Sequence, residues 1–177
     1  VGCQKRLPAP HSIPKNPANA NPIQVSLNGI GLPKVPEGDF QIMVVGHMYG
    51  SFEGEDRLPA KALLNKVPQL NEDNFSMLIS LGDMVKTTTL EDFDELDTEL
   101  INELSFPVFN TPGNHDVEDR ALYEKLFGQT FFSFKYGAAR MVFLDTERQE
   151  CAIDAEQLDM LRSVLNDASY DPGTDHI

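Results

Sequence analysis

The sequence predicts an α/β fold with mixed β-sheets flanked by helices, and two alternating patterns indicate this class. Short apolar runs that end at glycine, Phe40–Val45 before Gly46 and Phe75–Leu81 before Gly82, are typical of strands buried on both faces. Between such runs lie segments whose apolar residues recur at helical spacing. Strands that alternate with helices form a parallel or mixed sheet covered by helices.

The remaining elements follow from the same two periodicities. Leu90–Leu104 is predicted as a long helix, with Thr89 as its N-cap and with the seven acidic residues between Glu91 and Glu103 on its solvent face. The other predicted elements are a helix at Leu58–Val67 with Pro59 in its first turn, a strand at Phe106–Asn110, a helix at Glu118–Phe127 closed by Gly128, a hairpin of Phe131–Phe134 and Arg140–Leu144, and a helix at Asp154–Ala168.

The first 38 residues differ from the rest, so we divide the chain into a Pro-rich leader or tether (1–38) and a domain (39–177). The leader contains seven prolines and has no helical or alternating period. Because it has few large apolar side chains to offset the entropy of ordering, we expect the stretch before about Ile23 to pack poorly. Ile23, Val25 and Leu27 alternate as in a short strand laid on the domain.

The charge and the apolar runs exclude several classes of partner. The chain carries 28 acidic and 14 basic residues, for a net charge of -14, which disfavours sequence-independent binding to nucleic acid or to anionic membranes. No apolar run is long enough for a transmembrane segment. The two cysteines, Cys3 and Cys151, form neither a disulfide scaffold nor a zinc knuckle.

Two interpretations of the opening residues Val1-Gly2-Cys3 remain open. They match the end of a bacterial lipoprotein cleavage site, in which Cys3 would carry a lipid anchor ahead of the Pro-rich tether. That interpretation favours the bacterial envelope over the cytoplasm. The alternative is an incidental cysteine at an arbitrary starting point.

Candidate functional residues stand at the ends of three successive predicted strands. His47 follows the first strand, Asp83 the second, and the run Asn114, His115 and Asp116 the third. In open α/β sheets, ligands bind beyond the carboxyl ends of the strands, so we expect these side chains to converge on one rim. Oxygen and imidazole ligands together suit Mn, Fe or Zn rather than a metal that prefers thiolates.

Each of these residues also has a purely structural interpretation. His47 alone is compatible with a hydrogen-bonded loop histidine, and Asp83 with a turn or a helix cap. Asn, His and Asp placed directly after a buried strand are costly unless they are used, so the functional interpretation is favoured for the set. Asp145, at the end of the hairpin's second strand, is a further candidate of the same kind.

From about Phe40 onward, the chain resembles the N-terminal two thirds of a calcineurin-like metallophosphoesterase. The most specific motifs are Leu81-Gly82-Asp83 and Gly113-Asn114-His115-Asp116, which a helix and a strand separate as in the family. The runs Phe131–Phe134 and Val142–Thr146 follow the family's course as well. The resemblance implies an α-β-β-α sandwich and a hydrolase of small phosphomonoesters or phosphodiesters.

The resemblance also implies a role for each candidate residue around two divalent metal ions. Asp83 would bridge both metals, His47 would bind the first and Asn114 the second. His115 would protonate the leaving oxygen of the substrate as a general acid, with Asp116 orienting its ring.

The sequence departs from the family pattern in two ways, and each of them removes expected metal ligands. Val45 stands where the family has the aspartate of Asp-x-His, and Lys86 stands where it has a second acidic residue. The family's further metal ligands are histidines later in the domain, whereas this chain has only four histidines, at 11, 47, 115 and 176. We therefore expect an incomplete domain that is inactive alone.

Two other functions compete with the phosphoesterase. A catalytically degenerate relative that acts as a binding or envelope module is favoured by Val45 and disfavoured by the intact Asn114-His115-Asp116 run. A flavodoxin-like cofactor binder is disfavoured because Gly46–Gly50 lacks the glycine spacing and the lysine of a phosphate loop. The substrate stays open, since Tyr49, Phe52 and the acidic stretch 53–56 either line a pocket or are solvated.

Overall fold

The computed structural model describes residues 26–51 and 54–177, and it has the α/β architecture that the sequence predicts. The elements in chain order are β1 (Gln41–Val45), β2 (Tyr49–Ser51), β3 (Gly54–Pro59), α1 (Lys61–Leu64), α2 (Val67–Glu72), β4 (Phe75–Ser80), α3 (Leu90–Leu96), β5 (Val108–Asn110), α4 (Arg120–Phe127), β6 (Phe132–Tyr136), β7 (Ala139–Phe143) and α5 (Ala155–Tyr170). A π-helical stretch, Asp97–Ile101, continues α3.

A parallel sheet of order β1-β4-β5 forms the centre of the described structure. Its register pairs Val45 with Ser80 and Ser80 with Asn110, so the three strands end in one row. The chain segments that follow these residues therefore leave the sheet at the same edge, as parallel strands require.

Two apolar cores lie on opposite faces of this sheet. The alternation of side chains along β4 sends Leu78 into one core, with α3 and α4, and Met77 and Ile79 into the other, with the β6–β7 hairpin. Helix α5 contacts β7 on the far side of the hairpin. The layers therefore run helix, sheet, hairpin, helix, which is the predicted α-β-β-α sandwich.

The strand predictions hold for β4 and need a correction for β1. Residues Met77–Ser80 are buried, as predicted for a strand covered on both faces. β1 instead lies at the edge of the described sheet, and Val44 is 56% exposed. An apolar run alone does not distinguish a central strand from an edge strand.

The helix predicted at Leu58–Val67 is present in part, as α1 (Lys61–Leu64), but its predicted first turn at Leu58 and Pro59 is wrong. Leu58 and Pro59 belong to β3, which pairs with β2 in an antiparallel hairpin, and two short helices follow, α1 and α2. Ala60 then donates a backbone hydrogen bond to the Met48 carbonyl (2.8 Å), which extends the pairing beyond the strand. Pairing with the neighbouring strand β2 therefore replaces the first turn of the predicted helix.

The predicted long helix is present, and its cap is confirmed. Asp92 N donates to Thr89 Oγ1 at 3.1 Å, and Gly128, with φ of 72°, ends α4 as expected. The expectation that all acidic residues face solvent fails at Asp92, which is fully buried. Its carboxylate accepts hydrogen bonds from Arg57 Nη1 (2.6 Å) and Thr87 Oγ1 (2.5 Å), so the charge is paired.

Part of the predicted leader packs against the domain. Leu27 N donates to the Val108 carbonyl at 2.7 Å, but its φ of 51° excludes the extended conformation predicted for it. Cys3, Ile23, Val25 and the stretch expected to pack poorly lie outside the described residues. The boundary at residue 38 stays a prediction. Within residues 26–51 and 54–177, no helix is long and apolar enough to cross a bilayer.

Asn28 is the residue that fixes this segment to the sheet. Its side chain exchanges two hydrogen bonds with the Asn110 backbone, from Asn28 Nδ2 to the carbonyl (2.8 Å) and from Asn110 N to Asn28 Oδ1 (3.0 Å). Asn28 Nδ2 also donates to the Gln129 carbonyl at 3.1 Å. Both asparagines are buried, so these bonds satisfy polar groups that water does not reach.

Asn28→Ala is expected to lower the free energy of unfolding by about 2–4 kcal/mol, because it leaves two buried backbone groups of Asn110 without partners. Urea denaturation measures the change. Asn166→Ala, at an exposed position of α5, serves as the control and is expected to stay within about 0.5 kcal/mol of the unmodified chain. Equal effects of the two substitutions would contradict the role given to Asn28.

Candidate functional site

Three loops leave the aligned ends of β1, β4 and β5, and backbone contacts join them. His47 N donates to the Gly82 carbonyl (3.1 Å) and Met48 N to the Asp83 carbonyl (2.8 Å), which joins the first loop to the second. The second and third loops approach so closely that a Cβ atom added to Gly82 or to Gly113 would overlap the other loop. Only glycine fits at these two positions.

His47 and Asp83 face each other across the first and second loops. His47 Nδ1 lies 3.1 Å from Asp83 Oδ2, and the His47 side chain is 63% exposed against 18% for Asp83. Both residues have a left-handed backbone, with φ of 50° and 55°. This conformation is uncommon outside glycine and is concentrated at functional sites, where the surrounding contacts hold it.

Asp116 connects the second and third loops through its buried carboxylate. Its Oδ2 accepts from Asp83 N (2.7 Å) and Gly113 N (3.0 Å), and its Oδ1 accepts from Met84 N (2.9 Å). Burial raises the pKa of Asp116 to about 6, and the backbone hydrogen bonds that favour the ionised form only partly oppose this rise.

His115 is held at its backbone and at one ring nitrogen. His115 N donates to Asp83 Oδ1 (3.2 Å), and ring Nδ1 lies 2.9 Å from the Lys86 carbonyl and 3.6 Å from Glu118 Oε1. Because a carbonyl oxygen only accepts hydrogen bonds, Nδ1 carries the proton of the neutral ring. Nε2 is then the ring nitrogen that is not bonded to Lys86. The residue expected to orient the ring, Asp116, bonds to backbone N–H groups instead.

Asn114 and Asp145 complete the set of sequence candidates. Asn114 is exposed and stands between Gly113 and His115, whose N–H groups bond to the carboxylates of Asp116 and Asp83. Asp145, in contrast, is buried and accepts from Arg120 Nη1 at 2.7 Å, while its N–H donates to Gln157 Oε1 at 2.7 Å. It serves packing between α4 and α5.

Tyr49 is a site residue whose role the sequence left undecided. Its ring centroid lies 4.4 Å from that of His47 and 5.0 Å from that of His115, so it stands between the two imidazoles. Burial, and then the charges of Asp83, Glu118 and Asp116, raise the pKa of its phenol. The spacing in the sequence could have indicated this role, because Tyr49 comes two residues after the histidine at the end of the first strand.

The donor chemistry of the site fits a divalent ion, but the number of donors does not complete a metal centre. His47 supplies imidazole nitrogen, while Asp83 and Asn114 supply oxygen, a set that suits Mn, Fe or Zn. No group of three or more histidine, cysteine or acidic side chains in residues 26–51 and 54–177 is placed to hold a metal. Val45, where the resemblance implies a carboxylate, contributes no ligand.

The strands of the central parallel sheet end in one row, and histidine and carboxylate side chains lie at these ends. The family model of calcineurin-like phosphoesterases matches residues 40–164. The chain therefore belongs to the calcineurin-like phosphoesterase family, as its motifs predict.

The other comparisons concern individual proteins. A search of curated proteins finds no match. Among solved structures, the chain is similar to a purple acid phosphatase from yellow lupin (Lupinus luteus) seeds, with a TM-score of 0.54 and 18% sequence identity. The alignment covers 80% of this chain and 30% of that one. This likeness shows a shared fold, and the chain spans only 30% of the length of that phosphatase.

Asp116 is expected to titrate near pH 6 in the metal-free chain, since burial raises its pKa from 3.8 to about 6. A raised pKa means that the folded state holds the proton more tightly than the unfolded state. The associated stability is fully present below about pH 3.8 and is lost as pH rises through about 6, a change of about 3 kcal/mol. Carbon-13 NMR of the carboxyl group measures the pKa directly.

Asp116→Asn should flatten this part of the pH–stability curve and also destabilise the chain by about 1–3 kcal/mol, because an amide cannot accept all three backbone bonds. Asp159→Asn, at an exposed position of α5, is the matched control and should leave the curve unchanged. A normal carboxyl pKa at Asp116 would contradict its burial.

Proposed function

We propose that this chain carries the catalytic rim of a metal-dependent phosphoester hydrolase that acts on a small phosphomonoester or phosphodiester. One observation carries the proposal: His47, Asp83 and His115 are joined at the aligned strand ends of a chain that belongs to the calcineurin-like phosphoesterase family. The left-handed backbone at two of these residues supports a functional role.

In this proposal His115 is the general acid. Its Nδ1–H is committed to the Lys86 carbonyl, so in the imidazolium form the second proton lies on Nε2, from which it would pass to the leaving oxygen and leave the ring neutral. Asp83 Oδ1 fixes the His115 backbone, and Asp116 acts as a positioning residue because it fixes the loop of Asp83. General acid catalysis by a positioned histidine contributes about 10²–10⁴ in rate.

His47, Asp83 and Asn114 are the residues that would hold divalent ions, which we propose to be Mn, Fe or Zn. Bound ions would neutralise the phosphate oxygens and lower the pKa of a water that attacks phosphorus. Three donors are too few for two ions, so the proposal requires further ligands beyond this set. For the same reason we expect no turnover by the 177-residue chain alone.

A catalytically degenerate binding module is the alternative, and Val45 is the observation that favours it. Val45 ends β1 opposite Ser80, two residues before His47, and its apolar side chain packs against the core that contains Leu78. A site without that carboxylate would bind cations more weakly, since it has one negative charge fewer. The same fold would then present the rim to a partner without hydrolysis.

The test is hydrolysis of p-nitrophenyl phosphate and bis(p-nitrophenyl) phosphate by the full-length gene product, with Mn²⁺ or after treatment with EDTA. Activity is expected only with the ion. His115→Ala should lower kcat by about 10²–10⁴ and leave Mn²⁺ affinity nearly unchanged, because its proposed role is proton donation. His47→Ala should mainly weaken Mn²⁺ binding, and His176→Ala, exposed near the chain end, is the control.

Two outcomes would overturn the enzyme proposal. Inactivity with every divalent ion, together with no Mn²⁺ binding by calorimetry, would exclude a metal-dependent hydrolase. Metal binding without turnover, followed by activity once Val45→Asp is introduced, would identify the degenerate relative instead.

A further inference from the structure

Tyr49 occupies a position in the candidate site to which neither the family motifs nor the proposed mechanism gives a role. It is the first residue of β2, and its N–H donates to the Asp83 carbonyl at 3.3 Å. Across the hairpin it pairs with Pro59, which is buried. The backbone of Tyr49 is therefore fixed to Asp83, the same residue that contacts both histidines.

The Tyr49 ring contacts both imidazoles. The His47 ring is tilted by 42° to the tyrosine ring at a centroid distance of 4.4 Å. The His115 ring meets it edge-to-face, at 66° and 5.0 Å. Edge-to-face contacts at such distances are favoured by the quadrupoles of the rings, so they define orientation as well as distance.

Each histidine ring needs a second constraint besides its polar contact. His47 is bonded at Nδ1 to Asp83, and its side chain is otherwise mostly exposed. The His115 ring is held at Nδ1 by the Lys86 carbonyl, with Glu118 Oε1 3.6 Å away. Contacts at one ring nitrogen leave the plane of the ring free to tilt, and an aromatic surface against the ring removes that freedom.

We propose that Tyr49 is a positioning residue that sets the orientation of the His47 and His115 rings relative to each other. The inference deepens the proposed function, on which its kinetic consequence rests. The contacts with both histidines are made by the aromatic ring and not by the hydroxyl group. Phenylalanine at position 49 should therefore preserve the orientation of the two histidine rings, whereas an aliphatic residue should not.

NMR on the 19.7 kDa chain tests the positioning without requiring activity. Nuclear Overhauser effects are expected from the Tyr49 ring protons to the rings of both His47 and His115. Tyr49→Leu should shift the imidazole resonances of both histidines, while Tyr49→Phe retains them. Tyr170→Leu, at a position that is 81% exposed, is the matched control and should shift neither.

Kinetics on the full-length gene product tests the consequence for catalysis. With Mn²⁺ present, Tyr49→Leu should lower kcat by about tenfold to a hundredfold with KM changed less than threefold, because a misplaced catalytic group affects the chemical step. Tyr49→Phe should retain most of kcat. If the unmodified protein hydrolyses neither nitrophenyl ester, the proposed function fails, and the NMR experiment still decides the role of Tyr49.

Three results would overturn the proposal. The first is the absence of a contact between the Tyr49 ring and either histidine in the unmodified chain, a measurement that does not depend on the folding of a variant. The second is a Tyr49→Leu variant whose histidine resonances and kcat match those of the unmodified protein. The third is an equal loss in Tyr49→Phe, which would assign the effect to the hydroxyl group.

Discussion

The carboxylate of Asp116 is the constraint on which the rest of the site depends. It binds the N–H groups of Asp83, Met84 and Gly113, and so it holds two loops in contact at positions where a side chain on Gly82 or Gly113 would overlap the other loop. Burial of this charge is unfavourable, as its raised pKa shows, but three donors from fixed backbone offset much of the lost hydration. A carboxylate is the one side chain that accepts all three bonds while it donates none.

Asp83, which Asp116 holds in place, bonds in turn to residues of the loops that follow β1 and β5. Its N–H is bound by Asp116, its carbonyl accepts from Met48 and Tyr49, and its two carboxylate oxygens contact His115 N and His47 Nδ1. A residue with so many fixed partners can be held in the left-handed region, where an isolated aspartate would relax. The ends of β1, β4 and β5 form one row, which brings these partners within reach of Asp83. The register of the sheet therefore places the contacts that hold the strained backbone.

The sequence predicted the features that depend on local patterns. The buried run of β4 and the helix capped by Thr89 were predicted because their signals are local, and the convergence of the site follows from the rule for strand ends. The β2–β3 hairpin was missed because its strands, Tyr49–Ser51 and Gly54–Pro59, carry no alternating apolar pattern. The burial of Asp92 was missed because its partner, Arg57, is 35 residues away. The contact of His115 with the Lys86 carbonyl could not be predicted either, because every residue has a backbone carbonyl and the sequence carries no signal for this one.

The charge of the chain constrains how the proposed function would operate. A chain with a net charge of -14 repels a phosphoester, and the carboxyl groups of Asp83, Asp116 and Glu118 add negative charge around His115. Under the proposed function, cations bound at His47, Asp83 and Asn114 would have to reverse the sign of the local potential before an anionic substrate could approach. The valine at position 45 lowers the negative charge that would attract those cations, but it also lowers the repulsion that they must overcome. Under the proposed function, the uncharged residue at position 45 therefore has two opposing effects on the approach of a phosphoester: it weakens the binding of the cations and it reduces the charge that the cations must neutralise.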